Sequence, residues 1–201
     1  LGPLLSDVAI AMTMLLVFMI VFHRRMNRLV AFIAVATAIV ADSARYLMPS
    51  YPEVLFRLIF HSAALLLLGF AALVILRNIF EQHVVSGDDV IGAVCGYLLA
   101  AGAWSSLFLL IEIFLPGSFS VGPGFAAGLN TWDGRIAVMS YVSLGSLTSL
   151  GSGAIVVLRP PATILTRLEA VFGQFYIAVV VAQLASARLS QRSQRNSLPQ
   201  A

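Results

Sequence analysis

The stretch Ser149-Leu150-Gly151-Ser152-Gly153-Ala154 separates a short apolar segment, residues 135–147, from a long one, residues 161–187. Its two glycines alternate with other residues. Glycine tolerates the positive φ that lets successive carbonyl groups face one way. Non-helical backbone at membrane depth survives only where it lines a wet cavity or is buried in protein. The stretch therefore predicts a re-entrant loop whose carbonyl oxygens can replace the water around a cation.

The composition of the chain is that of an integral membrane protein. Of its 201 residues, 60% are hydrophobic and 10% are charged, whereas about 25% are charged in an ordinary soluble domain. The net charge of +3 comes from arginine, since the chain has no lysine. These arginines form no basic face, so the sequence predicts a lipid bilayer as partner and no nucleic acid.

The apolar segments predict the number of membrane crossings. About 20 apolar residues cross the hydrocarbon core, and residues 4–22, 29–47, 54–76 and 90–115 meet that length. Residues 161–187 form a fifth segment, interrupted by Arg167 and Glu169. Residues 135–147 are too short to span and fit a half-membrane helix. We expect an all-α membrane protein with about five transmembrane helices, one re-entrant helix and its loop.

Charge and segment order divide the chain into three parts. They are a three-helix transmembrane region over residues 1–85, a pore-like domain over residues 86–187 and a polar tail over residues 188–201. The loop 23–28, Arg77 and the tail carry clustered arginines. Five crossings place these clusters on one face, which the positive-inside rule makes cytoplasmic. The N-terminus is then expected outside and the C-terminus in the cytoplasm.

Residues 141–185 resemble a known family. They read YVSLGSLTSLGSGAIVVLRPPATILTRLEAVFGQFYIAVVVAQLA. They are similar to the pore module of bacterial two-helix-pore potassium channels, whose pattern runs T-L-T-T-L-G-Y-G-D-I-x-P and then L-E-A-x-x-G-Q-L-Y-L-A-V-L-V-A. The match over residues 168–182 is the specific part, and a weaker one extends over residues 75–115. The resemblance implies a homotetrameric, potassium-channel-like pore in a bacterial inner membrane.

The resemblance also implies an ion-binding site. Four copies would surround one axis, because one loop supplies one carbonyl per layer and a cation needs a ring of them. Permeant potassium or sodium ions are then the only ligands expected, with no other metal and no cofactor. The implied ligands are backbone or hydroxyl oxygens of Thr148, Ser149, Leu150, Gly151, Ser152 and Gly153.

The loop departs from the family pattern at two positions. Ser152 stands where the family has Tyr, and Ala154 stands where it has Asp. In the family these two side chains hold the filter at a fixed width. Their replacement predicts weak potassium selectivity or a non-conducting loop, unless another side chain such as Tyr141 or Ser146 supplies the support.

Two residues of the last segment have two interpretations each. Gly173, in the middle of a predicted helix, is a gating hinge or a point of close helix approach. Glu169 is an ionisable residue in a spanning segment, which makes it a functional candidate. It either forms a hydrogen bond behind the filter or pairs with Arg167 or another group near the outer surface.

Asp133 is expected to cap the re-entrant helix.

Two functions from different classes follow. The first is a cation channel with weakened potassium selectivity or non-selective monovalent conduction. The second is a non-conducting accessory or scaffold subunit that keeps the pore fold within a larger membrane complex. No enzyme activity is expected, because the sequence has no metal-ligand spacing and no nucleophile with a base nearby in sequence.

Overall fold

The computed structural model describes residues 25–47, 52–81, 87–123, 129–151 and 153–196. The predicted span 4–22 lies outside these residues, as does Ser152. Five helices and two short strands make up the described part: α1 (Arg25–Leu47), α2 (Glu53–Glu81), α3 (Gly87–Phe114), β1 (Phe119–Val121), α4 (Trp132–Leu147), β2 (Ile155–Val157) and α5 (Pro160–Asn196).

Three helices in the described part are long and apolar enough to cross a membrane: Glu53–Glu81, Asp89–Phe114 and Pro160–Ser186. They confirm the predicted spans 54–76, 90–115 and 161–187. The apolar part described in α1, Phe32–Ala41, is shorter than a span, so a crossing over residues 29–47 stays a prediction. Helix α5 continues to Asn196, and the polar tail therefore begins as an extension of this helix.

The short helix α4 forms where it is predicted, and its N-terminus has a defined cap. Thr131 is extended, with φ −122° and ψ 153°, and its side chain accepts a hydrogen bond from Gly134 N at 3.2 Å. Asp133 lies in the first turn, where its charge complements the helix dipole. The prediction that Asp133 is the cap is therefore wrong, because a threonine hydroxyl two residues earlier fills that position.

Helix α3 is the central helix of the described part and packs on α2, α4 and α5. Its small residues allow this: Gly96 lies so near α5 that an added Cβ would be 2.7 Å from the Tyr176 hydroxyl. That hydroxyl donates to the Ala93 carbonyl at 2.8 Å. Helix α2 packs on its other side against α1, through a core that includes Val35, Ala64 and Leu67.

A row of polar contacts joins α3 to α4. Three positions of α3 separated by four residues share one helix face, and each meets a polar group of α4. Small hydroxyls and one tyrosine thus fix the register of two apolar helices. The pairs are Tyr97 hydroxyl to Leu147 carbonyl at 2.8 Å, Ser143 hydroxyl to Ala101 carbonyl at 2.8 Å, and the Ser105 and Ser140 hydroxyls at 3.0 Å.

A small two-stranded antiparallel sheet, β1 with β2, connects the segment after α3 with the segment after the loop. Phe119 pairs with Val157 and Val121 with Ile155. Before β1, the Glu112 carboxylate accepts hydrogen bonds from three backbone N–H groups, which fixes the turn that leaves α3. The sequence predicted helices only, so this sheet is an addition to the expected fold. The three bonds come from Gly117 at 2.8 Å, Ser118 at 3.0 Å and Phe119 at 3.3 Å.

Candidate functional site

The candidate site begins at the C-terminal end of α4, where four carbonyl groups lack partners within the helix. Each of them accepts a hydrogen bond from a nearby group. These four oxygens are therefore engaged within the subunit in this conformation. The acceptors are Leu144 to Thr148 N at 3.1 Å, Gly145 to Gly151 N at 3.0 Å, Ser146 to Ser149 N at 3.0 Å, and Leu147 to the Tyr97 hydroxyl at 2.8 Å.

The backbone after α4 has positive φ at every second residue. Ser149 has φ 58°, Gly151 has φ 84° and Gly153 has φ 52°. A left-handed residue directly after a helix is a common C-terminal cap, most often glycine, and Ser149 stands at that position. The two glycines continue the alternation beyond the cap. This alternation is the backbone property that the sequence predicted for the re-entrant loop.

The predicted ligands of the loop lie together after α4, apart from Ser152, which is outside the described residues. Leu150 is 87% exposed, so its backbone and side chain lie on the surface of a single subunit. The Thr148 hydroxyl donates to the Leu144 carbonyl at 2.6 Å. The Ser149 hydroxyl accepts a hydrogen bond from Gln174 Nε2 at 2.9 Å. Both hydroxyls therefore hold the loop to the two helices.

The C-terminal end of the loop is attached by its backbone to the residue that follows β1. Gly122 N donates to the Ala154 carbonyl at 2.8 Å, and strand β2 starts at the next residue. An added Cβ on Gly122 would lie 3.3 Å from the Ala154 Cβ, so the two residues are in close contact. This backbone hydrogen bond thus fixes Ala154 without the aspartate side chain that the family pattern has there.

Tyr141 lies beside the second glycine of the loop. Its hydroxyl is 3.7 Å from the position of a Cβ added to Gly153. Tyr141 projects from the middle of α4, and its side chain is 44% exposed. The ring is therefore placed where it can support the loop in place of the tyrosine that Ser152 replaces. This support role stays a prediction.

Replacing Tyr141 with alanine should loosen the loop more than replacing it with phenylalanine. Alanine removes the ring from the neighbourhood of Gly153, while phenylalanine removes only the hydroxyl. Substitutions that remove a side-chain contact destabilise by about 1 kcal/mol on average, so we expect amide hydrogen exchange over residues 150–154 to become about two- to tenfold faster in Tyr141→Ala. Mass spectrometry of exchanged peptides measures this. Equal exchange in wild type and both variants would show that Tyr141 does not support the loop.

Helix α5 contacts the end of α4 at Gly173. A Cβ added to Gly173 would collide with the Leu147 carbonyl oxygen, and it would lie 2.8 Å from the carbonyl carbon and 3.1 Å from Cα. The structure therefore has the close approach at Gly173, one of the two interpretations that the sequence left open. A hinge at the same residue stays a prediction.

Glu169 lies one turn earlier on α5 and is completely buried. One carboxyl oxygen is hydrogen-bonded to the Ser143 hydroxyl, which also contacts the Ala101 carbonyl at 2.8 Å. Oε2 has no hydrogen-bond partner among the described residues. Of the two interpretations of Glu169, the structure has the hydrogen bond behind the loop. Its role as filter support stays a prediction.

Three contact residues were not predicted from the sequence: Tyr97, Ser143 and Gln174. A hydroxyl or amide on an apolar helix was the available signal, because such groups need partners in a membrane. The partners themselves lie on other helices, and sequence spacing does not reveal them. Gln174 stands in the quoted G-Q-x-Y pattern, which marks it by resemblance alone.

The N-terminal part of α2 also contacts the start of α4. Arg57 is 8% exposed and pairs with Glu53 at 3.0 Å. Its guanidinium Cζ lies 5.0 Å from the centre of the Trp132 ring, and the Cζ of Arg135 lies 5.1 Å from it. Cation–π contacts of this kind are attractive at these distances. The contact of Arg57 connects α2 to α4, the helix that precedes the loop.

Comparison of the chain with protein-family models, with curated proteins and with solved structures gave no match. The described part is a helical, membrane-embedded fold by the length and composition of its helices. The resemblance to potassium-channel pores rests on the quoted residues.

Proposed function

We propose that the chain is one subunit of a homotetrameric monovalent-cation channel in a bacterial inner membrane. One observation carries the proposal: the short helix α4 lies between two spanning helices and ends in backbone with left-handed residues at alternate positions. Carbonyl oxygens of such backbone, arranged in a ring, replace the hydration shell of a cation. The ions pass between the loops of four copies, with the N-terminus outside and the C-terminus in the cytoplasm.

Exposed apolar side chains near the loop support assembly into a ring. Leu150 is 87% exposed and Phe175 is 65% exposed, and both lie near the proposed axis. Neighbouring copies cover these side chains, which removes apolar surface from contact with water in the pore. The mass of the complex in native mass spectrometry tests this step. A mass of four subunits is expected, and a single copy bound to unrelated chains would contradict the proposal.

Selectivity for potassium is expected to be weak. Ala154 is held by its backbone to Gly122, but its side chain offers no polar atom, and Ser152 has far less volume than a tyrosine. Reversal potentials of purified protein in planar bilayers, with potassium on one side and sodium on the other, measure the permeability ratio. We expect potassium to be preferred less than about tenfold, or about 1.4 kcal/mol.

A double substitution provides the matched control for selectivity. Ser152→Tyr with Ala154→Asp restores the residues of the family pattern, and it should raise the potassium preference above that of the wild type. A wild-type preference well above tenfold would refute weak selectivity. An unchanged ratio in the double variant would show that these two positions do not set it.

A non-conducting accessory or scaffold subunit is the second candidate. It is favoured by the hydrogen bond from Gly151 N to the Gly145 carbonyl, which folds the loop back onto α4. A loop that stays in this conformation presents no continuous row of carbonyls to an axis. Absence of current from intact tetramers, or one copy per larger complex, would favour this candidate.

A further inference from the structure

The first residue of the loop has an unusual backbone conformation for its type. Ser149 has φ 58°, a region that glycine adopts freely and that other residues occupy only where the surroundings determine it. Its N–H donates to the Ser146 carbonyl at 3.0 Å. Its hydroxyl accepts from Gln174 Nε2 at 2.9 Å. Serine at this position therefore has a partner that glycine would lack.

The position of Gln174 on α5 is fixed by the residue before it. Gly173 lies against the Leu147 carbonyl with no room for a side chain, so α5 has one rotation and one height relative to the end of α4. Consecutive residues of a helix point about 100° apart. Rotation of α5 by one residue would therefore remove Gln174 from the loop.

The Gln174–Ser149 pair forms part of the wall of a surface cavity of about 460 Å³. The remaining lining residues are apolar: Ala170, Val171, Phe175 and Ala178. The amide and the hydroxyl are the polar side-chain groups of this wall, and both residues are exposed in a single subunit. Loss of either one therefore removes one hydrogen bond and leaves the other group accessible to water.

We propose that Gln174 is a positioning residue for the loop. Its amide holds Ser149 in the left-handed conformation, and the backbone of Ser149 sets the direction of the carbonyls that follow. A displacement of α5 at Gly173 then moves the loop, because the adjacent residue, Gln174, is hydrogen-bonded to Ser149. The effect on ions depends on the proposed channel function, but the effect on the loop does not.

The test is a double-substitution cycle with Gln174→Met, Ser149→Ala and both together. The primary readout is amide hydrogen exchange at Gly151, whose N–H is bonded to Gly145. Each single variant should exchange about two- to tenfold faster than wild type, the range for loss of one hydrogen bond. The double variant should match the singles. Gln183→Met, a like substitution farther along α5, serves as control and should not change exchange.

Testing Gln174→Met in the Ser149→Gly variant distinguishes positioning of the loop from general destabilisation. Glycine adopts the left-handed region without help, so Gln174→Met should have little further effect on exchange when combined with Ser149→Gly. Independent, multiplying effects of Gln174→Met and Ser149→Ala would overturn the proposal, as would unchanged exchange in both.

Permeability ratios from bilayer recordings provide the functional readout. They should shift together in Gln174→Met and Ser149→Ala if the tetramer conducts. Changed exchange without current in any variant would keep the positioning role and reject the channel function. Current whose selectivity is the same in all variants, with unchanged exchange, would reject the positioning role and keep the channel.

Discussion

Replacing Gly173 with alanine is expected to destabilise the fold, although alanine is the better helix former. The new Cβ would collide with the Leu147 carbonyl group, and both colliding partners belong to helix backbones that move only as units. Overpacking of this kind typically costs about 1–3 kcal/mol. The gain in helix propensity from glycine to alanine is about 1 kcal/mol. We therefore expect a net loss of stability and a displaced end of α4.

Gly92→Ala on α3 is the matched control for this prediction. Outside the backbone of its own helix, no atom of the described residues lies within 4 Å of the Cβ position at Gly92, so alanine there should be neutral or stabilise by up to about 1 kcal/mol. Unfolding of both variants in detergent, followed by circular dichroism, makes the comparison. Equal stability of the two variants would show that α5 does not approach α4 at Gly173.

The hinge interpretation predicts a different result for the Gly173→Ala variant. A hinge needs backbone freedom at Gly173 in the assembled channel, so alanine would change the open probability with little effect on unfolding. The close approach predicts a change in unfolding and in the loop. Recording both from one preparation of Gly173→Ala separates the two interpretations.

The membrane helices were predictable because their signal is local. A run of apolar residues long enough to cross a bilayer is visible without knowledge of any partner, and α2, α3 and α5 lie where such runs occur. The half-length of α4 was equally visible. The alternation of Gly151 and Gly153 predicted positive φ, because glycine is the residue that adopts it freely.

The contacts of the site were not predictable because they depend on helix packing. Glu169 had two plausible partners in sequence, and only the position of α5 against α4 places Ser143 beside it. Gly173 looks the same in sequence whether it is a hinge or a contact. The two-stranded sheet was missed for another reason: β1 and β2 have three residues each, too few to show the alternation of a strand.

Loss of the Glu169 side chain is expected to have an effect at least as large as that of Gly173→Ala. Its carboxyl group is completely buried and meets the Ser143 hydroxyl. Glu169→Ala leaves a cavity and leaves Ser143 with one partner fewer. Emptying a buried site of this size costs about 2–5 kcal/mol. Glu81→Ala is the control, since Glu81 is exposed and pairs with Arg77; exposed pairs contribute about 0–1 kcal/mol.

Glu169→Gln should retain most of the stability, because we expect residue 169 to donate a hydrogen bond to Ser143. The Ser143 hydroxyl has one hydrogen, yet it contacts two oxygen atoms, those of Ala101 and Glu169. Both contacts are satisfied when the side chain at position 169 donates to Ser143 and Ser143 donates to Ala101. An amide can donate in this place, so we expect Glu169→Gln to cost less than about 1 kcal/mol. An amide can both donate and accept, so a loss as large as that of Glu169→Ala would mean that the site requires the carboxyl group itself and would refute this prediction.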